Sequence, residues 1–132
     1  MLRLEFQVAK PPQHVFAVLS DMQKFVAIHP VISEAQALGQ DRYKLKETLR
    51  FVGIPLRFRY EVHVYANHKQ LQVLMTAKVM LLVGIQIQFD VSGNDKESLV
   101  KEQISFKTVL PVHFILRSIF RKQHSKLFAA MK

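Results

Sequence analysis

Glu47 is the polar residue that fits least easily into its surroundings. It shares one face of an alternating segment with Tyr43, Leu45, Leu49 and Phe51, while Lys44, Lys46, Thr48 and Arg50 take the other face. A hairpin with Val52–Pro55 as its loop pairs Phe51 with Leu56. Arg50 then faces Arg57, Lys46 faces Glu61 and Glu47 faces Tyr60. A carboxylate so placed points inward, and it must either be hydrogen-bonded or hold its proton to higher pH. Beside a phenol hydroxyl it could orient the polar end of a ligand or work as half of an acid–base pair. The competing reading is structural: a bulge that turns Glu47 outward, or a hydrogen bond that serves packing alone. Glu102, amid Val100, Ile104 and Phe106, poses the same question, as does Gln123 on the apolar side of the last helical segment.

Other chemistries find little support. With no Cys there is no thiolate nucleophile, no disulfide framework and no Cys-ligated zinc. The six His are scattered, without a ligand motif such as His-Glu-x-x-His, and His113 and His124 fall on the solvated side of the last helix. Nucleophile-elbow, Walker-type and dinucleotide glycine motifs are missing, and four Gly leave little for a phosphate-cradling loop. The expectation is no metal, no cofactor and no assigned catalytic residue.

The elements that must position these groups follow from periodicity. Leu2, Leu4, Phe6 and Val8 alternate with Arg3, Glu5 and Gln7, the period of a half-buried strand. Pro11-Pro12 stops it and suits the first turn of a helix striped by Val15, Val18, Leu19 and Met22. Ser20 and Gln23 have capping-box spacing for a second short helix, ended by His29-Pro30. Strands are expected at Val31–Leu38, Tyr43–Phe51, Leu56–Tyr65, Leu71–Ala77, Ile85–Val91 and Ser98–Thr108. The short turns between them favour an antiparallel meander. After Pro111 the period becomes helical, with Val112, Ile115, Leu116, Ile119, Phe120, Leu127 and Met131 on one side. Residues 1–132 read as one α+β domain, in the order strand, two short helices, six strands, long helix.

That order, with Pro12-Gln13-His14-Val15-Phe16-Ala17-Val18-Leu19-Ser20-Asp21 followed by Ile28-His29-Pro30-Val31, resembles the START/Bet v 1-like helix-grip superfamily, which includes polyketide cyclase-like proteins. The resemblance implies a curved antiparallel sheet gripping a long C-terminal helix, with a cavity between them for a hydrophobic small molecule or lipid. It carries no chemistry of its own, because the fold hosts carriers and enzymes alike. Cavity walls are expected from Leu45, Glu47, Phe58, Tyr60, Met75, Ile87 and Phe89 on the sheet and from Leu116, Ile119 and Phe120 on the helix. The favoured role is binding or transfer of such a ligand. A cyclase- or aromatase-like enzyme and a ribosome- or RNA-associated domain are the rivals.

Successive turns of a meander alternate between its two ends. One end receives the polar segments Gly39–Arg42, Asn67–Lys69 and Ser92–Lys96. The other receives the apolar Val52–Pro55, Val79–Val83 and Val109–Val112. Turns normally face water, so an apolar set needs a reason. Docking on an anionic membrane is one, using Val52, Ile54, Met80, Leu81 and Leu82 with Arg50 and Arg57 as flanking cations. Plugging the cavity, or a homodimer in place of a monomer, are the others.

Nineteen Lys and Arg against ten Asp and Glu give a net charge of +9, and no acidic residue follows Glu102. Such a chain prefers anionic partners. Nucleic acid is not favoured, because Tyr65 alone supplies an aromatic on the outward phase beside the basic side chains of the third and fourth strands. The charged N-terminus lacks a signal-peptide core, and the Val79–Ile85 apolar run is far short of the roughly 20 residues of a membrane span. These features point to a cytoplasmic protein.

Overall fold

The computed structural model describes residues 1–51, 53–79 and 82–131, with the backbone alone for Phe51. Strand β1 (Leu2–Val8) leads through helices α1 (Pro12–Ser20) and α2 (Met22–Ile28) into a run of strands. These are β2 (Ile32–Gly39), β3 (Arg42–Phe51), β4 (Ile54–Asn67), β5 (Gln72–Val79), β6 (Val83–Gly93) and β7 (Ser98–Thr108). Helix α3 (His113–Ala129) follows. The sheet order is β1-β7-β6-β5-β4-β3-β2, and each neighbouring pair is antiparallel. The chain therefore descends as a meander from β2 to β7, and α1 with α2 carries it across from β1 to the far edge.

Asp21, not Ser20, caps α2. Its carboxylate accepts from the backbone N–H of Gln23 at 3.0 Å and of Lys24 at 3.3 Å, a cap that contributes about 1 kcal/mol. The Ser20 hydroxyl is spent on the Phe16 carbonyl one turn back, at 2.8 Å. One extended residue thus separates the two helices, and that residue is the cap.

The β3–β4 hairpin differs from the sequence expectation by two residues. Phe51 pairs with Ile54, Arg50 with Pro55, Lys46 with Arg59, Glu47 with Phe58 and Leu45 with Tyr60. The connection is shorter than Val52–Pro55, and Gly53 turns at φ +79, where a side chain would be strained. A slip of two leaves every side chain on its expected face, because the pleat repeats every two residues.

Val15, Phe16 and Leu19 of α1 and Met22 and Phe25 of α2 are buried against Val62, Val64, Val73, Phe89, Val91 and Val100 of the sheet. Leu127 and Phe128 of α3 join the same core, and Phe128 stacks on Phe6 with ring centroids 4.5 Å apart. The last two turns of α3 are therefore fastened to the sheet. Leu116, Ile119 and Phe120, nearer its start, are only half-buried.

Candidate functional site

Beneath the less tightly packed half of α3 lies a cavity of about 310 Å³. Its walls are mostly aliphatic and aromatic. Leu45 and Leu49 of β3, Phe58 and Val62 of β4, Met75 and Ala77 of β5, and Ile85 and Ile87 of β6 form the sheet side. Leu116, Ile119 and Phe120 form the helix side, and Leu82 and Leu110 border it from the adjoining loops. Five polar side chains interrupt this lining: His29, Glu47, Tyr60, Gln123 and His124. No Lys or Arg lines the cavity among the described residues, although the chain carries nineteen.

Each polar group has an identifiable support. The Tyr60 hydroxyl donates to Glu47 Oε1 at 2.7 Å. Burial raises the Glu47 carboxyl above its usual range, against the pull of the Tyr60 hydrogen bond and of nearby His124. Burial, then the Glu47 charge and hydrogen bond, push Tyr60 well above the ordinary phenol value, so its proton stays in place. His29 Nδ1 accepts the backbone N–H groups of Val31 and Ile32, each at 3.2 Å. Those bonds leave Nε2 as the protonated nitrogen. Burial first, and then His124, lower His29 to about 3, so its ring is neutral at physiological pH.

His124 departs most from the sequence expectation. It is 2% exposed, and its Nδ1 is hydrogen-bonded to Glu102 Oε2, a residue 1% exposed on β7. The rings of Phe120, Phe89 and His29 surround it, with centroids 5.3, 6.1 and 6.2 Å away. The other Glu102 oxygen, Oε1, is buried and has no partner among the described residues. A wheel drawn over the whole of α3 puts His124 with Arg117 and Arg121. Yet it lies one residue past Gln123 and only about 40° round from Phe120, on the buried row that continues to Phe128. Glu102 points inward because it shares its phase with Val100 and Ile104, both 0% exposed. A lone acid on the core phase of one element and a lone base four residues from two Phe on another was the available signal.

The chain matches no protein-family model, and no curated protein matches its sequence. Solved structures do match. An aromatase/cyclase, ZhuI from Streptomyces sp. R1128, superposes with a TM-score of 0.76 at 12% identity, covering 98% of this chain and 89% of that one. A START superfamily protein from Mycobacterium smegmatis gives 0.73 at 16% identity, over 98% and 92%. Ara h 8.0201 gives 0.74 at 14% identity, over 98% and 93%. The fold is the START/Bet v 1 helix grip.

Within this helix grip, Leu45, Glu47, Phe58, Tyr60, Met75, Ile87, Leu116, Ile119 and Phe120 all line the cavity. Phe89 does not. It is 0% exposed and sits deeper, under the fastened end of α3, with its ring 6.0 Å from that of Phe128. Gln123, on the apolar side of α3, is 9% exposed and lines both this cavity and an adjoining groove of about 1020 Å³. That groove runs between α3 and the β2–β3 edge and shares His29, Ile32, Leu49 and Ile119 with the cavity.

The apolar end of the sheet is partly exposed. Ile54 is 63% exposed, Leu82 52%, Val109 94% and Phe114 72%. Arg50 and Arg57 are exposed beside them, as are Lys78 and Lys107. Val52, Met80 and Leu81, expected at the same tip, lie outside the described residues. No helix among the described residues is long and apolar enough to cross a membrane.

Proposed function

We propose that this protein binds a small hydrophobic organic molecule in the helix-grip cavity, with a neutral hydrogen-bonding group of that molecule at the polar cluster. The observation that carries this reading is an apolar space of about 310 Å³ that concentrates five polar side chains but no Lys or Arg among the described residues. The volume sits at the low end of the roughly 300–1,000 Å³ of small-molecule sites. The absence of Lys and Arg from that lining sets the head group. A buried carboxylate or phosphate would meet the Glu47 carboxyl without a Lys or Arg to pair it, and unpaired buried charge is costly. A hydroxyl, phenol or carbonyl needs only a donor and an acceptor, which His29 and the Tyr60–Glu47 pair supply.

Displacement of the fluorescent amine N-phenyl-1-naphthylamine by dodecanol and by dodecanoate tests this directly. The alcohol is expected to compete at least tenfold more strongly, a difference of about 1.4 kcal/mol. Equal or stronger competition by the carboxylate would contradict the neutral head group. A protein that binds neither the dye nor either chain would contradict the ligand-binding reading itself.

Ligand exchange at an anionic membrane is the transfer role that the exposed tip supports. Val109 and Phe114 project from the same end as Arg50, Arg57 and Lys78, and no acidic residue follows Glu102. Each cation near an anionic surface contributes about 1 kcal/mol and each inserted large side chain roughly 1.5–3 kcal/mol, enough for reversible docking. Flotation with phosphatidylcholine/phosphatidylglycerol vesicles is expected for the wild type and lost in Val109→Asp/Phe114→Asp. These side chains are exposed, so the double variant should fold. Flotation that survives the substitutions, or none in the wild type, would refute docking. A wild-type dimer that the same variant converts to a monomer would identify the tip as a protein interface instead.

A further inference from the structure

The geometry points to a general base in this cavity: we propose that His124 Nε2, oriented by Glu102, removes a proton from the carbon next to the carbonyl group of a bound hydrophobic ketone. The inference rests on the ligand-binding reading above and adds a reaction to it.

Four observations carry it. First, a carboxylate can only accept, so the bond between Glu102 Oε2 and His124 Nδ1 places the ring proton on Nδ1. A neutral His124 then presents an unprotonated Nε2, and the ring lines the cavity. Second, the pair is dry: His124 is 2% and Glu102 1% exposed, so their hydrogen bond is poorly screened by water and holds the ring in a fixed orientation. Third, the rings of Phe120 and Phe89, with centroids 5.3 and 6.1 Å from that of His124, hold the imidazole in place beneath α3. Fourth, His29 supplies an electrophile. Its Nδ1 is committed to two backbone N–H groups, its Nε2–H is a neutral donor, and its ring lies 6.2 Å from that of His124 in the same cavity.

The step balances without a co-reactant. The Nε2 lone pair of His124 takes the α-proton. The C–H electron pair becomes the new C=C bond, and the carbonyl π pair moves onto oxygen. The developing enolate oxygen receives the hydrogen bond of His29 Nε2–H, in the manner of an oxyanion donor. Glu102 stabilises the imidazolium through Nδ1–H. Returning the proton to the same carbon gives exchange, and returning it to a conjugated carbon gives isomerisation. His29 and Gln123 also line the adjoining groove, which offers a route for protons to solvent.

A suitable probe is 1-tetralone, a hydrophobic ketone with one enolisable methylene. Its binding is read by displacement of N-phenyl-1-naphthylamine, and its turnover by loss of the α-proton NMR signal in heavy water. Wild-type protein is expected to exchange the α-protons at least tenfold faster than His124→Gln, a variant whose amide can still donate to Glu102. Glu102→Gln, which alters a positioning residue, should lower kcat with little change in KM. A purely structural Glu102 would leave kcat in the folded variant unchanged. Displacement of the dye by 1-tetralone together with equal exchange in wild type and His124→Gln would overturn the catalytic proposal and leave ligand binding intact. Failure of the wild type to bind the dye at all would overturn both.

Discussion

Glu102→Ala is expected to lower the stability of the protein by about 3–5 kcal/mol, measured by urea unfolding at neutral pH. The substitution strips His124 of the partner on its Nδ1 and opens a hole between β7 and α3, where both residues are essentially unexposed. Two terms therefore add: an orphaned buried polar ring and a cavity that close-packed neighbours fill only in part. Against a typical total of 5–15 kcal/mol this is a large fraction. Replacing both partners by apolar residues, Glu102→Leu/His124→Leu, is expected to recover most of the loss, because no polar group is then left unpaired. A Glu102→Ala protein as stable as wild type would show that this carboxylate is not a buried partner. A double variant no better than the single one would show that packing, rather than pairing, sets the cost.

The same pair marks where sequence reading fell short. Strand phase was legible at β3, β4 and β7 because alternation is a local property, and it placed Glu47, Tyr60 and Glu102 inward. Register was not legible. A two-residue slip of the β3–β4 hairpin changes partners without moving any side chain to the other face, so the hydrophobic pattern cannot report it. The turn alone decides between the two registers, and Gly53 at positive φ permits the tighter one. Glu47 and Tyr60 meet in spite of this, one diagonal step apart across the hairpin.

His124 was missed for a different reason. Helix α3 buries different faces along its length: its early turns span a cavity, and its late turns press Leu127 and Phe128 into the core. One wheel averaged over seventeen residues blurs these two faces and puts a core histidine at the stripe's edge. The groups that give the cavity its chemistry thus come from His29 at the end of α2, from β3 and β4, and from α3. Only the fold brings them together.

Phe89 failed as a wall residue on the same geometry. Its phase was right, but depth under α3 cannot be read from alternation. The apolar turns, by contrast, were visible in composition, and several of their side chains stand exposed in the structure.

If the space under α3 is a binding site, filling it with a side chain should exclude the ligand. Ala77 lines the cavity from β5, between Val62 of β4 and Ile85 of β6. Ala77→Phe would project a ring into a space of about 310 Å³ without adding a polar or charged group. Filling a true void leaves stability unchanged or raises it, whereas overpacking a filled core costs about 1–3 kcal/mol. The measurement is fluorescence titration with N-phenyl-1-naphthylamine on wild type and Ala77→Phe, with thermal unfolding of each. The wild type is expected to bind the dye, the variant at least tenfold more weakly, with an unfolding midpoint that does not fall. Equal dye affinity in both proteins, or a variant that no longer folds, would contradict binding in this space.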